Sequence, residues 1–551
     1  MSPKLLTGRL KWILASLLCA ASLACSPPMY AGGGSDTEVS GRIVAPDGSG
    51  IPGAGVTLVP ADFNPTLSGQ VSGNETDTTD STGTYRFKGI HHGNYDLQAL
   101  GLASGLRLLA SGIVVQSDRG TLVLSEDSLR KPVRLLVNLP DSLVQLSGYV
   151  IATGTTMYAK KNAGDKSVMF DSAAQGVYPG LQFEANTSGP TVQLFTNVAV
   201  GPSDTTVLNP FPGWAHSAKI QVNTSNSGVP VQTTVVDFSL VVRLSASNFP
   251  FSQAQPGGAD LRFAKANGKA LPYEIAEWDT AAVIWVGLDT VCPESALQFV
   301  RMFWGNAGAT TLSNPAAVFD TSRGFAGVWH LEEDQAGVGT LGLYKDATPN
   351  AANGNDYVSS TGKDGFVGKG QAFAPGDSIP TDAPVTDMAA AGFTACAWVN
   401  LTAPGGVVFS KRKDDTMADT GDKELWFGDS AATGAPGLRP TFRAIGQGTI
   451  TAQRDMPLNQ WHYYAFRWQP STGTATFFVD GGLCGSTGSY SPQAADNPAA
   501  FFTIGSDGTR SMSGALDEIH VSKVARSDDW IMLAFENQRQ DQHVVTVILE
   551  K

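Results

Sequence analysis

The fold of this 551-residue chain is decided by a series of strand-like runs that opens with Gly327-Val-Trp-His-Leu-Glu332. The series continues with Phe393-Thr-Ala-Cys-Ala-Trp398, Trp461-His-Tyr-Tyr-Ala-Phe466, Ala475-Thr-Phe-Phe-Val-Asp-Gly481 and Gly514-Ala-Leu-Asp-Glu-Ile-His-Val521. In the second run the apolar residues Phe393, Ala395, Ala397 and Val399 alternate along the chain, as a half-buried strand requires. Asp480-Gly-Gly482 separates two runs and predicts a tight hairpin, because glycine tolerates a positive φ. Short strands broken by Gly, Pro and Asn clusters indicate an antiparallel sandwich over residues 325–551.

The same runs resemble a laminin-G-like, concanavalin A-like jelly roll. The resemblance rests on Trp-x-Leu-x-Glu, Phe-Thr-x-x-Ala-Trp, Gln-Trp-His, the Val-Asp-Gly hairpin and Leu-Asp-Glu-Ile, and covers about two fifths of the chain. It implies a binding module, often for glycans or proteins and sometimes with calcium. We expect strands at 501–504 and 515–521 to pair with the opening strand at Val328, and residues 325–551 to fold alone.

The rest of the chain predicts further β domains. The 61 glycines and 31 prolines suit short strands with many turns, and one short helix is expected near Asp528 to Gln538. Residues 38–100 resemble a carboxypeptidase-regulatory-like (transthyretin-like) β-sandwich, on Ser40-Gly-Arg, Pro52-Gly-Ala-Gly-Val56, Asp80-Ser-Thr-Gly-Thr-Tyr85 and Gly93-Asn-Tyr95. That family commonly serves as a spacer and implies no activity.

Two further domains lie between residues 38–100 and the predicted jelly roll. Residues 101–213 contain strand-like runs and are interpreted as a small β domain. Residues 214–315 resemble an uncharacterised bacterial domain known beside laminin-G-like modules and in biopolymer-transport channel proteins; the matching residues are Gly258-Ala-Asp-Leu-Arg-Phe263, Leu271-Pro-Tyr-Glu-Ile275, Trp278 and Trp304-Gly-Asn306. The predicted fold class is therefore all-β, with several antiparallel sandwiches in tandem that end in the jelly roll.

The first residues predict export. Lys4, Arg9 and Lys11 precede a short apolar run, so residues 1–24 are interpreted as a signal peptide. Cys25 follows Ser22-Leu-Ala24, which resembles a bacterial lipobox and implies lipidation of Cys25; ordinary cleavage near Ala31 is the alternative. Residues 25–37 are interpreted as a tether. The predicted location is the Gram-negative cell envelope, as an outer-membrane lipoprotein or a secreted protein.

Charge and cysteine content restrict the partners. The predicted signal contains three of the 37 basic residues and none of the 50 acidic ones, so the remaining chain carries a net charge of about −16. An acidic chain argues against nucleic acid as a partner, and only the N-terminal lipid would bind a membrane. Cys292, Cys396 and Cys484 form no disulfide framework, and buried free thiols are favoured over a Cys396–Cys484 pair.

Glycoside hydrolases also use concanavalin-type folds, so paired carboxylates in this part of the chain bear on whether the protein is an enzyme. Such enzymes need two carboxylates about 5 to 9 Å apart. Asp517 and Glu518 are neighbours on a strand and should point to opposite faces. Glu332 and Asp334 lie two apart, but where a strand runs out into a loop, and solvated loop carboxylates are the commoner explanation. The sequence therefore favours a protein that is not an enzyme.

Candidate binding residues are found in the last domain. Trp398 falls on the strand face that also carries Asn400, and with Trp426 these residues are the predicted ligand contacts. The alternative for Trp398 is packing beneath a covering loop. Asp346 and Asn350 lie in a stretch that resembles the turn after the opening strand of laminin-G-like relatives, and Asp517 lies on the strand expected to return beside it. The resemblance implies a calcium site of these three residues, whose hard oxygen ligands suit that ion; the alternative for Asp346 is an ordinary turn.

The leading functional hypothesis is a non-enzymatic surface protein that binds or adheres to a glycan or an extracellular protein through its terminal jelly roll. Two alternatives remain open. The first is a structural envelope scaffold without a specific ligand. The second is a glycoside hydrolase on the concanavalin-type fold.

Overall fold

A computed structural model describes residues 36–550, apart from 68–69, 187–190, 335, 386–387, 389–391, 413–418, 420, 429–436, 445–447, 488–495 and 498–499. The predicted signal peptide, most of the tether and Cys25 lie outside the described residues. The structure is almost entirely antiparallel β-sheet, which confirms the predicted fold class. Within the described ranges, no helix has the length and apolar character needed to cross a bilayer.

The first domain is a sandwich of two four-stranded sheets. Its strands are Glu38–Val44, Ala54–Pro60, Thr76–Thr78, Thr84–Lys88, Gly93–Gly101, Arg107–Val115, Thr121–Val123 and Asp127–Ser128, with a 3₁₀ turn at Gly73–Glu75. The sequence predicts that this domain ends at residue 100. The structure extends it by three strands, because Arg107–Val115 returns beside Gly93–Gly101 and Thr121–Val123 pairs in parallel with Glu38–Val44.

The second domain packs a four-stranded sheet on a three-stranded sheet. Its strands are Val133–Asn138, Gly148–Thr153, Tyr158–Lys161, Ser167–Ala173, Gly176–Ala185, Val192–Val200 and Thr205–Leu208, with a helical turn at Asp141–Val144. Buried Val, Leu and Phe side chains fill the space between its sheets. This domain contributes no residue to the sites described below.

The third domain pairs a five-stranded sheet with a three-stranded sheet. Its strands are His216–Val222, Val235–Ser245, Arg262–Lys265, Ala270–Leu271, Tyr273–Trp278, Ala281–Val291, Gln298–Trp304 and Val545–Glu550; short helical turns occur at Phe251–Gln253, Pro256–Gly258, Pro315–Val318 and Thr321–Arg323. The last of these strands corrects the predicted boundary. The sequence predicts that the jelly roll spans residues 325–551, but Val545–Glu550 lies antiparallel to His216–Val222 in the third domain.

The terminal sandwich consists of a seven-strand sheet and a six-strand sheet. The seven-strand sheet contains Phe325–Trp329, Gln371–Phe373, Phe393–Leu401, Trp461–Gln469, Thr474–Val479, Gly482–Thr487 and Gly514–Ser522. The six-strand sheet contains Ile379–Pro384, Val407–Arg412, Lys423–Gly428, Arg439–Ala444, Gly448–Thr451 and Phe501–Ile504. Between them lies a core of large apolar side chains that includes Trp329, Phe466 and Phe502.

The predicted pairings hold in part. Gly514–Ser522 pairs with the opening strand, where Val328 is opposite His520. Phe501–Ile504 instead joins the other sheet, beside Val407–Arg412. The predicted hairpin is present: Val479 is opposite Gly482, and the two turn residues have φ of 50° and 72°.

The third domain and the terminal sandwich share one hydrophobic core. Cys396, Trp398 and Tyr463, on the outer face of the seven-strand sheet, belong to the same buried cluster as Phe238 and Trp285 of the third domain. We call this covered surface the junction face. Because that face is buried against another domain, the structure argues against independent folding of residues 325–551.

The predicted helix reinforces the junction. It spans Asp528–Gln538 and begins at Ser527, whose hydroxyl accepts a hydrogen bond from the amide of Trp530. Near its end, the side chain of Asn537 bonds to both the amide and the carbonyl of Val241. The guanidinium of Arg243 donates to the carbonyls of residues 537–539, where a helix favours a cation.

Candidate ligand-binding face and the domain junction

The outer face of the six-strand sheet carries a row of polar side chains. Strand register places Thr503, Ser410, Glu424, Arg443 and Thr449 opposite one another on successive strands. Directly opposed residues of an antiparallel sheet lie close enough for their side chains to interact. We call this surface the polar face.

Trp426 lies on the polar face, one step along its strand from that row. Its ring is half-buried and lies 4.6 Å from the guanidinium of Arg510 and 5.9 Å from that of Arg443. Both guanidiniums also approach the buried carboxylate of Glu424, at 2.9 Å for Arg443 and 3.0 Å for Arg510. The group therefore combines an aromatic surface with opposite charges that hold one another in place.

A turn at residues 505–512 fixes Arg510. The carboxylate of Asp507 accepts hydrogen bonds from the amides of Thr509 and Arg510 and from the Arg510 Nε, the last at 2.7 Å. Burial acts to raise the pKa of Asp507. The hydrogen bonds from the two backbone amides and the Arg510 guanidinium outweigh burial, so the pKa is lowered. The hydroxyl of Ser410 donates to the carbonyl of Ser506, which ties the turn to the sheet.

The other predicted ligand contacts lie on the junction face. Trp398 is only 1% exposed: its ring stacks on Phe366, and its Nε1 donates to the Gln538 side chain at 2.6 Å. This corrects Trp398 as a ligand contact, because a ring buried on both sides cannot stack on a sugar. Asn400 is half-buried on the same strand. The structure therefore separates Trp426 from the other two residues by placing it in the opposite sheet.

The three predicted calcium ligands have separate hydrogen-bonding partners. The carboxylate of Asp346 accepts from the amides of Val328, Thr348 and Ala352 and from the Thr348 hydroxyl. The Asn350 side chain donates to the Ala326 carbonyl.

Asp517, the third predicted ligand, accepts from the amides of Phe366 and Val367 and shares no such partner with Asp346. Asp346 thus acts as the turn residue that the alternative interpretation described.

A β-bulge changes the expected orientation of Asp517 and Glu518. Opposite the strand Phe393–Leu401, the pairing shifts between His520 and Asp517, and Glu518 has a φ of 50°. The extra residue brings both carboxylates to the junction face, whereas strict alternation predicted opposite faces. A left-handed backbone is rare for glutamate and occurs where surrounding structure enforces it.

The bulge organises a buried group that the sequence analysis missed. The Glu518 carboxylate lies 2.8 Å from Nδ1 of His330 and 2.8 Å from Nε2 of His520, and Nε2 of His330 lies 3.2 Å from the carboxylate of Glu274. All four side chains are buried. We call them the junction cluster. Titratable residues inside otherwise apolar strands, as in Val328-Trp-His330 and Glu518-Ile-His520, were the available sequence signal.

The electrostatics of the junction cluster are strongly perturbed. Burial alone would lower the pKa of His330, but Glu518 and Glu274 outweigh it and raise that pKa well above its usual value. Burial acts to raise the pKa of Glu518, yet the two imidazoles hold it at about 2. His520 has a lowered pKa, chiefly from burial. The carboxylate of Glu518 is therefore the fixed negative centre of the group.

A cleft of about 580 Å³ lies near the junction, between residues 276–281 and 332–334. Lys369 lines it and pairs with Asp334 at 2.7 Å. Burial raises the pKa of Glu332 to about 8. Glu332 and Asp334 thus differ in environment: Asp334 is an exposed, paired carboxylate and Glu332 a half-buried one.

The three cysteines within the described residues, Cys292, Cys396 and Cys484, are free. Cys396 and Cys484 are both buried, but Cys396 belongs to the core of the junction and Cys484 to the interior of the sandwich. They lie on opposite sides of the same sheet, so no disulfide joins them. Burial raises the pKa of the Cys396 thiol to about 12, so it is packed as an inert side chain.

Comparison with protein families confirms two of the predicted domains. Residues 374–532 match the model of the concanavalin A-like lectin/glucanases superfamily. Residues 257–332 match a domain of unknown function, DUF2341. The chain therefore contains a laminin G-like, concanavalin A-like domain and, before it, a DUF2341 domain.

Solved structures with partial similarity include three carbohydrate-related proteins. Domain 4 of AbnA, a GH43 extracellular arabinanase from Geobacillus stearothermophilus solved with arabinotriose, is 15% identical, covers 38% of this chain and 96% of its own, and has a TM-score of 0.30. A putative carbohydrate binding protein from Bacteroides ovatus is 14% identical over 57% and 83%, with a TM-score of 0.25. The CBM40 of the Ruminococcus gnavus IT-sialidase, bound to α2,3 sialyllactose, is 12% identical over 30% and 96%, with a TM-score of 0.25. No curated protein matches the chain.

Proposed function

We propose that this protein is a non-enzymatic, exported glycan-binding protein that holds its ligand on the polar face of the terminal sandwich. The observation that carries the proposal is the group of Trp426, Glu424, Arg443 and Arg510. Sugars are bound by apolar stacking on aromatic rings together with a few fixed polar groups. The match to a superfamily of lectins and glucanases supports the same class of ligand.

The polar groups are held in place before any ligand arrives. Glu424 restrains both guanidiniums, and Asp507 restrains Arg510 a second time. Preorganised contacts reduce the entropy lost when a ligand binds. The hydroxyls of Thr449 and Thr503 lie in the same row, two strands away from Trp426 on either side, and add donors and acceptors to the face.

A glycan array with the full chain tests the proposal. Binding to a defined set of glycans should be lost in Trp426→Ala and weakened in Arg510→Gln, while the unfolding temperature changes little. Tyr158→Ala is the matched control, because Tyr158 is an aromatic residue of the second domain that is 51% exposed. Equal binding by Trp426→Ala and the wild type would contradict the polar face as the site.

Two results would favour the alternatives. If no glycan is bound, the structural scaffold becomes the better account. If the chain shortens an oligosaccharide that it binds, it is a hydrolase, and product analysis by mass spectrometry would show this directly. The structure supports binding over cleavage, because Asp517 and Glu518 are both buried and hydrogen-bonded rather than facing an accessible sugar.

Attachment to the cell is part of the same proposal. Cys25 would carry the lipid that anchors the protein in the outer membrane, and the first two β domains would act as spacers. Several acyl chains hold a protein firmly, whereas one alone gives marginal binding. Cys25→Ala should move the protein from the membrane fraction to the soluble fraction. A mature protein whose mass lacks acyl chains would contradict this anchor and leave glycan binding untouched.

A further inference from the structure

We propose that the junction cluster is a binding site for one divalent transition-metal ion of the zinc class, with His330, Glu518 and His520 as its ligands. This inference is independent of glycan binding, because the cluster lies on the junction face and the polar face belongs to the other sheet. It concerns a site at which two domains meet.

The first argument is the convergence of ligand atoms. Nδ1 of His330, one carboxylate oxygen of Glu518 and Nε2 of His520 all lie within 4.8 Å of one another. The two nitrogen-to-oxygen distances are both 2.8 Å. In a tetrahedral zinc site with bonds of about 2.0 to 2.1 Å, ligand atoms lie about 3.3 Å apart. The two nitrogen-to-oxygen distances would therefore lengthen by about half an ångström on metal binding, while the two imidazole nitrogens, which lie within 4.8 Å of each other, would move to about 3.3 Å apart.

The second argument is the group behind His330. Its other ring nitrogen, Nε2, lies 3.2 Å from the carboxylate of Glu274. Metal-bound histidines almost always donate their second N–H to a carboxylate, a carbonyl or water, which fixes the tautomer and the ring orientation. Glu274 occupies that position and leaves Nδ1 free to face Glu518 and the ion.

The third argument is how the site is built. Glu518 adopts its left-handed backbone at a bulge, which turns its carboxylate toward both imidazoles. The rings of Trp285 and Phe319 pack against His330 and His520 and limit their movement. A rigid apolar shell of this kind controls access of solvent to a metal.

The donor set selects the class of ion. Two imidazoles and one carboxylate suit zinc and its neighbours, whereas calcium and magnesium prefer oxygen ligands alone. His330, Glu518 and His520 come from the terminal sandwich, and Glu274 from the third domain. The ion would therefore link the two domains through one coordination sphere and its supporting carboxylate.

The full chain, stripped of metal and then supplied with Zn²⁺ or Co²⁺, tests the proposal. We expect about one equivalent of zinc per chain and, with cobalt, the visible absorption of a four-coordinate site in which water joins the three protein ligands. Glu518→Gln and His520→Ala should lose both. Glu274→Gln should keep the ligands but weaken zinc binding by about 10- to 100-fold. His92→Ala is the matched control, because His92 is an exposed histidine that also pairs with a carboxylate, Asp118.

Thermal unfolding provides the second readout. Zinc should raise the unfolding temperature of the wild type and of His92→Ala, but not of Glu518→Gln. If Glu518→Gln does not fold, the milder Glu274→Gln carries the comparison through its weaker zinc affinity. A wild-type chain that takes up no stoichiometric zinc or cobalt would overturn the proposal, as would equal uptake by Glu518→Gln. The junction cluster would then be a buried hydrogen-bonded ion pair.

Discussion

The two outer faces of the terminal sandwich differ in what they pack against. The junction face lies under the third domain and the helix Asp528–Gln538, and its aromatic side chains belong to a shared core. The outward residues of the polar face bond to one another and to the turn at 505–512. Each sheet carries a tryptophan on its outer side, yet Trp398 is buried in a domain contact and Trp426 is half-buried beside two guanidiniums. The same type of residue therefore has a different exposure on the two faces, because, within the described residues, only the junction face is covered by another domain.

The largest expected effect is on the junction face. Trp398→Ala should lower the free energy of unfolding by about 3 to 5 kcal/mol, because a buried aromatic ring is removed and a cavity is left. The Gln538 side chain also loses its partner. Denaturant unfolding of the full chain measures the loss. A change below about 1 kcal/mol would mean that the junction face is not packed as described.

The second largest loss of stability is expected where the helix Asp528–Gln538 bonds to the third domain. Asn537→Ala should cost about 2 to 4 kcal/mol, because the amide and the carbonyl of Val241 would both lose their buried partner. The control is Asn94→Ala, whose side chain is exposed. Equal stabilities of the two variants would show that the helix contributes little to the junction.

We expect the stability of the protein to depend on pH through Lys423, which is buried beneath the polar face. Burial lowers the pKa of Lys423 to about 8 in the folded protein, although Asp496 opposes the shift. The folded state then binds fewer protons than the unfolded chain between pH 8 and the ordinary lysine pKa of about 10.4, so stability should rise with pH across that window. Compared with Lys423→Met, the wild type should gain about 2 kcal/mol more between these two pH values. If the free energy of unfolding changes with pH in the same way in both proteins, the pKa of Lys423 is not lowered by folding.

The smallest effect on stability is expected at the polar face. Trp426→Ala should change the free energy of unfolding by about 1 kcal/mol or less, since its ring is half-buried. Measured beside Trp398→Ala, it compares the same substitution on the two sheets. A cost as large as that of Trp398→Ala would make Trp426 a core residue and remove it from the proposed site.

Local patterns predicted the strands well. Apolar patterning and turn glycines predicted the strands around Phe393, Trp461 and Gly514 and the hairpin at Asp480. Both signals depend only on residues that are close together in sequence. The short helix was also predicted, and its acidic first turn and Ser527 cap are local features.

Contacts across long sequence separations could not be predicted. The bulge at Glu518 breaks the alternation on which the orientation of Asp517 depended, and no glycine marks it. Trp398 is covered by Phe366 and by the helix Asp528–Gln538, in which its hydrogen-bonding partner Gln538 lies 140 residues further along the chain. Trp426 was named from composition alone, and its arginine neighbours became visible only through strand register.

The pairing of His216–Val222 with Val545–Glu550 has a consequence for the order of folding. Ser217 and Glu550 meet across 333 residues of sequence. At roughly 5 to 20 residues per second, synthesis of the intervening chain takes tens of seconds. During that time the first two domains can fold completely, while the strand His216–Val222 remains an unpaired edge of the third domain. Such an open edge can pair with other chains, so we expect holding chaperones to engage the nascent protein at this strand until residues 545–550 emerge.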